Sequence, residues 1–320
     1  MNTKNTKTAV IILLIIANIF FIYNIINLKI QSENIPSEMI DDAVNILEKN
    51  GFIADRSKIP AKKPSSVIYE GVYEGVYSQN TFADIVKYFS GISDEELKDI
   101  DYMQVPVGRS CTAGDYRFTV SNANYFNISI IEKSYIVPEM DFDELDRDTE
   151  TKKEILSESG ITGIQNSDIK KAEKIIKNFI KKYNTQDIKL GFVITGFSEN
   201  KQKNCDTVLI NQSIDGAPID SHTVYIEIQD GRVKYFSGKW YFGEFIGKYP
   251  MPLLDSVNIL FKSIEIDGNI IQESGKLAEM SPEYTVMRHD TDKFYLLPSW
   301  QIKFDGGRKF SYNMITGNKN

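Results

Sequence analysis

Apolar residues change their spacing several times along this chain, and each change marks a predicted element. Between Thr8 and Leu28 they are almost unbroken: T-A-V-I-I-L-L-I-I-A-N-I-F-F-I-Y-N-I-I-N-L. At helical rise this run reaches about 31 Å, close to the hydrocarbon thickness of a bilayer. Beyond Ile30 the pattern breaks into amphipathic pieces. Met39, Ala43, Ile46 and Leu47 recur at helical spacing after Pro36-Ser37-Glu38, and Asn50-Gly51 ends the predicted helix. Over residues 66–77 the period falls to two, in a tandem Tyr-Glu-Gly-Val, which predicts a strand. A helix over 80–89 follows, then strands around 102–107, 116–121 and 126–132.

Residues 141–168 turn strongly polar and read as a boundary. Ser167-Asp168 then caps a helix with Ile169, Ala172, Ile175, Ile176, Phe179 and Ile180 on one stripe. Strands are predicted at 190–197 and 207–213. Asp230-Gly231 between alternating flanks predicts a hairpin over 223–236. A helix over 252–266 carries Leu253, Val257, Leu260 and Phe261, strands follow at 283–287 and 294–297, and a last hairpin joins 300–304 to 309–313 across Asp305-Gly306-Gly307. The expected class is α+β: a single N-terminal transmembrane helix followed by two helix-on-antiparallel-sheet units. The expected division is a cytoplasmic tail at 1–7, a signal anchor at 8–28, an N-terminal unit at 31–140, a polar linker at 141–166 and a C-terminal domain at 167–318.

Lys4 and Lys7 precede the apolar run, and Glu33, Glu38, Asp41 and Asp42 follow soon after it. That asymmetry favours an N-terminus in the cytoplasm and the bulk of the chain outside. A cleaved signal has a shorter apolar core and small residues at a cut site; neither is present, so an uncleaved anchor is expected. Asn18 lies near mid-depth. It either bonds to another membrane helix, an interaction worth about 0.6–2 kcal/mol, or is tolerated through local backbone bonding.

Lys+Arg number 37 against Asp+Glu 44, for a net charge of −7. The first thirty residues hold three lysines and no acid, so the remainder carries −10. That charge disfavours nucleic acid as a partner and a basic membrane-hugging face. Abundant Ile, Asn and Lys suit a low-GC bacterium. Cys111 and Cys205 could pair in an oxidising exterior or remain two separate thiols.

Local catalytic signatures are missing from the sequence. There is no G-x-S-x-G, phosphate loop or dinucleotide fingerprint. Cys111 in R-S-C-T-A-G has no activating neighbour in sequence. His289 with Asp290 and Asp292 reads as a solvated turn before a weak cation site. Glu70 and Glu74 offer the carboxylate pair a glycosidase needs, or else form the wet face of a half-exposed sheet. Trp240, Tyr241 and Phe242 form the densest aromatic cluster, which is either a partner-binding patch or, the favoured reading, an inward core run. The expectation is a protein without catalytic residues, cofactor, metal or small-molecule substrate.

The layout resembles the YycH/YycI group of membrane-anchored regulators in low-GC Gram-positive bacteria, YycI more closely. The resemblance runs from the short basic N-terminus and apolar run to Leu296-Leu297-Pro298-Ser299-Trp300-Gln301-Ile302 and, after a Gly turn, Tyr312-Asn313-Met314-Ile315-Thr316-Gly317. It implies a non-enzymatic, extracytoplasmic role: modulation of a sensor histidine kinase of a two-component system governing cell-wall metabolism (the WalK/YycG type), together with a sibling YycH-like regulator. The chain is somewhat long for that group, and residues 141–167 have no counterpart in it. The architecture also resembles PepSY-type units, which implies an exported binding or inhibitory module acting on a peptidase or wall component.

Overall fold

A computed structural model describes residues 34–64, 67–72, 79–105, 108–121, 127–133, 167–183, 190–200, 205–229, 232–240, 245–272, 275–289 and 293–320. Its elements begin with α1 (Ser37–Lys49), β1 (Val67–Val72), α2 (Gln79–Ser90) and α3 (Asp94–Lys98). Next come β2 (Met103–Val105), β3 (Gly108–Ala113), β4 (Tyr116–Ser121), β5 (Asn127–Glu132) and α4 (Ser167–Tyr183). After these follow β6 (Leu190–Asn200), β7 (Cys205–Ile214), β8 (Ala217–Gln229), β9 (Arg232–Lys239) and β10 (Phe245–Pro250). The chain closes with α5 (Ser256–Gln272), β11 (Leu277–Arg288), β12 (Lys293–Phe304) and β13 (Lys309–Asn313).

The chain divides into two compact units, each assembled from separate stretches. The smaller comprises Met1–Ser65, Leu253–Ser281 and Trp300–Asn320. In it α1 buries Ile40, Ala43 and Leu47, the stripe a helical period requires. Gly51 (φ 82°) ends α1: its N–H donates to the Glu48 carbonyl, and the Phe52 N–H to the Leu47 carbonyl, each at 3.0 Å. This double bond is a Schellman closure, which a left-handed glycine permits. α5 starts four residues later than the predicted 252, because the Asp255 carboxylate caps the Asn258 N–H at 2.9 Å. It kinks at Asp267 (φ −121°, ψ 19°). The β12–β13 hairpin closes through Phe304 N–H to the Arg308 carbonyl at 3.0 Å. Trp300, Tyr312 and Met314 then fill the core together with Val257 and Leu260.

The C-terminal turn of this unit is tied from several sides. Asn313 Oδ1 accepts the Ile315 and Thr316 N–H groups at 2.8 and 3.2 Å. Leu254 N–H donates to the Met314 carbonyl at 2.7 Å, and the Trp300 indole N–H reaches the Leu254 carbonyl at 3.3 Å.

The larger unit comprises Ser66–Pro252 and Pro282–Ser299. Its strands follow the order β10-β1-β12-β11-β8-β9-β5-β4-β3-β2, with β7 also paired to β8 and β6 to β7. Most neighbours are antiparallel, whereas β11 meets β8 in parallel at Tyr284 and Ile219. Phe118, Ile130, Val208, Val224, Ile226 and Phe236 lie at its centre, with Ala172 and Ile176 of α4 and Ile85 and Val86 of α2 in the same core. A Cβ on Gly238 (φ 145°) would run into the Thr223 carbonyl and the Val224 Cα, so the β8–β9 contact requires glycine there.

The predicted class is corrected. The structure is mostly β-sheet, 50% strand and 27% helix, rather than two successive helix-on-antiparallel-sheet units of PepSY type. Strands from either side of the expected 141–166 linker are hydrogen-bonded neighbours, with Ile130 of β5 opposite Phe236 of β9. Alternation reveals that a segment is a strand, but not its partner. β1 illustrates this, since it pairs with β10 and β12 far along the chain. Among the described residues no helix is long and apolar enough to cross a membrane, and the run at 8–28, expected as a transmembrane helix, lies outside them.

Candidate functional site

Adjacent residues of β1 point to opposite faces of the sheet, and Tyr69 and Glu70 divide accordingly. Tyr69 turns into the core. Its ring stands edge-on to Phe245 (5.8 Å) and Tyr284 (5.6 Å), and burial, with Asp215 beyond, pushes its phenol up to about 12. Gly71 shares that inner face and leaves the space that the Phe294 ring fills.

Glu70 turns the other way, between Gly247 of β10 and Tyr295 of β12. Tyr249 folds back over Gly247 and donates its hydroxyl to Glu70 Oε2 at 2.6 Å. Lys293 Nζ lies 3.4 Å from Oε1. The Tyr249 hydrogen bond, followed by Lys293, holds the Glu70 carboxyl below the usual carboxylate range; the same bond raises the Tyr249 phenol. Glu70 is thereby covered, while the Tyr249 ring remains 45% exposed.

The face extends across β12 to β11. A 3.0 Å hydroxyl bond joins Thr285 and Ser299 on one face. Alternation then sets Met287 and His289 on the same side as Leu297, Tyr295 and Lys293. The His289 and Tyr295 rings lie 5.1 Å apart, and Met287 is exposed. The result is a carboxylate committed to a phenol and an ammonium, rimmed by Tyr249, Tyr295, Leu297 and Met287. Such a surface presents fixed aromatic area to a partner. Glu70 itself is covered rather than solvated as the wet-sheet reading expects. Glu74, the second carboxylate of the glycosidase reading, lies outside the described residues.

The other sequence candidates separate clearly. Trp240 is buried in the core, the inward of its two readings, while Tyr241 and Phe242 lie outside the described residues. Asn18, Asp290 and Asp292 lie outside them too. Cys111 is buried and unpaired, and burial pushes its thiol up to about 11, away from nucleophilic use. Nothing is described of the Cys205 side chain. His222 is buried with Nδ1 3.0 Å from Gln212 Oε1, and desolvation pushes its pKa down to about 3. Among the described residues no group of His, Cys, Asp and Glu is placed to hold a metal ion.

Sequence reading identified Glu70 but not Tyr249, Lys293 or Tyr295. Nothing local connects them, because their proximity arises from strand pairing between distant segments.

No family model matches this chain. No curated protein matches it. Among solved structures it is similar to an uncharacterized protein from Eubacterium rectale ATCC 33656, with 11% identity and a TM-score of 0.42 over 81% of this chain and 87% of that one. A likeness at that level carries no argument about function.

Proposed function

We propose that this chain is a non-enzymatic regulator, held at the cell membrane by the apolar run at 8–28 with its folded units outside the cytoplasm. It modulates a sensor histidine kinase of a two-component system that controls cell-wall metabolism. The observation that carries this reading is the C-terminal hairpin. The residues that resemble the YycI group form one packed feature: Trp300, Tyr312 and Met314 are core, and Asn313 ties the final turn. Action by contact is further supported by how the reactive side chains are engaged: Glu70 is ion-paired, the Cys111 thiol is buried and the His222 ring is desolvated. A sibling YycH-like regulator belongs to the same assembly.

Crosslinking in intact membranes tests the reading. Capture of the kinase, together with altered kinase output on deletion of this chain, is the expected result. Unchanged output and no captured kinase would overturn it. The rival reading, an exported PepSY-like inhibitory module, loses the helix-on-sheet architecture on which it rested.

A further inference from the structure

We infer that the outer row of α1 docks a basic, apolar-flanked helix of the membrane partner. The inference deepens the proposed function and rests on it. α1 buries Ile40, Ala43 and Leu47. Beside that stripe, Met39 and Ile46 remain 37% and 45% exposed. They stand seven residues apart, two helical turns or about 10 Å, on one side of the helix. Asp42 lies between them along the row, as residues three and four apart on a helix are neighbours. A row of this kind, apolar at both ends and acidic in the middle, matches the anchor pattern of helix-on-helix recognition.

Charge selects the occupant. α1 carries Glu38, Asp41, Asp42 and Glu48 against Lys49. Asp41 is satisfied by the Arg56 guanidinium at 2.6 Å, and the same guanidinium bonds the Ser37 hydroxyl. Glu38, Asp42 and Glu48 form no ion pair among the described residues, so α1 keeps an acidic outer surface beside its exposed aliphatic pair. An anionic lipid surface would be repelled by that surface, whereas a Lys- or Arg-bearing helix is attracted to it.

Chain length sets the location. Nine residue steps lead from Leu28, at the end of the apolar run, to Ser37. Fully extended they span about 30 Å, so a run anchored in the bilayer keeps α1 within that distance of the membrane, where the extracytoplasmic base of a kinase is in reach.

The test uses the full chain in its native membranes with a photocrosslinking residue at Ile46, at Met103 (exposed on β2) or at Asn18. Denaturation midpoints matching the unmodified chain show that the variants fold. The expected result is kinase capture from position 46 and not from 103, with at least a tenfold loss of yield in the pair Glu38→Lys and Asp42→Lys. Kinase capture from position 18 but not from 46 overturns this docking surface and leaves the proposed function standing. Capture from neither position removes the proposed function itself. Adducts at 46 with lipid alone, or with a second copy of this chain, also overturn the inference.

Discussion

Both units contain the same three-residue device, and they use it differently. In the smaller unit the Tyr312 hydroxyl donates to Asp267 Oδ2 at 2.7 Å, and Lys319 Nζ reaches Oδ1 at 3.2 Å. In the larger unit Tyr249 donates to Glu70 at 2.6 Å, and Lys293 lies 3.4 Å away. The carboxylate is shielded in each case. The tyrosine is what differs, since Tyr312 is fully buried and Tyr249 is 45% exposed. A hydroxyl buried with its ring must keep its acceptor or pay full desolvation, so the Asp267 triad locks the α5 kink to the chain's last turn. Where the ring lies in solvent, water can replace the acceptor. There the triad mainly fixes the direction in which an aromatic surface faces.

The contrast predicts unequal mutational effects. Asp267→Ala strands the Tyr312 hydroxyl and frees Lys319 at once, so urea denaturation should show a loss of about 2–3 kcal/mol. A loss below that of any exposed substitution would mean that the kink is held by packing alone.

The buried His222–Gln212 pair asks whether burial, rather than membership of one unit, decides the outcome. Its folded pKa lies near 3, against an ordinary value of 6.5. Between those values the unfolded chain binds the extra proton, so stability is fully present above pH 6.5 and declines as pH falls towards 3. The slope is up to about 1.4 kcal/mol per pH unit, and His222→Gln should flatten it in midpoints measured from pH 7 to 5.

Tyr312→Phe keeps the ring and removes only the hydroxyl, so it should cost about 1–2 kcal/mol. Tyr249→Phe should cost less than Tyr312→Phe under the same denaturation; equal losses would erase the distinction between the two triads. The smallest effect belongs to Glu70. Its lowered pKa contributes stability above the ordinary carboxylate value of 4.5, which is lost as pH falls through the folded value. Glu70→Gln should therefore lower the midpoint slightly near neutrality, and the difference from the unmodified chain should shrink as pH falls below 4.5.

Local chemistry was legible wherever one signal sufficed. The Gly51 stop, the Ser167 start of α4 and the 305–307 turn of the last hairpin all stand where their residues predict. Some legible signals were overlooked. Ser93 and Glu96 form a capping box that starts α3. Asp215-Gly216 carries the same turn signature as Asp230-Gly231, and with φ of 50° and 85° it joins Ile214 to Ala217 in a two-residue turn. The polar triplet Asn211-Gln212-Ser213 masked it by breaking apolar alternation, although all three are buried. Pro298 made β12 read as two strands, yet β12 runs unbroken from Lys293 to Phe304.

The remainder was not written locally. Glu70 could be singled out from its strand, but its partners Tyr249 and Lys293 lie 179 and 223 positions away. Pairing at that separation is set by which strands bury the most surface together, and no window of sequence contains both.

Because the smaller unit draws on Trp300–Asn320 as well as on α1, its core cannot close until that stretch has been made. At roughly 5–20 residues per second, α1 waits on the order of ten seconds to a minute for Trp300, Tyr312 and Met314. A chain cut short by even its last hairpin would leave that helix with its apolar stripe bare, a natural target for quality-control proteolysis.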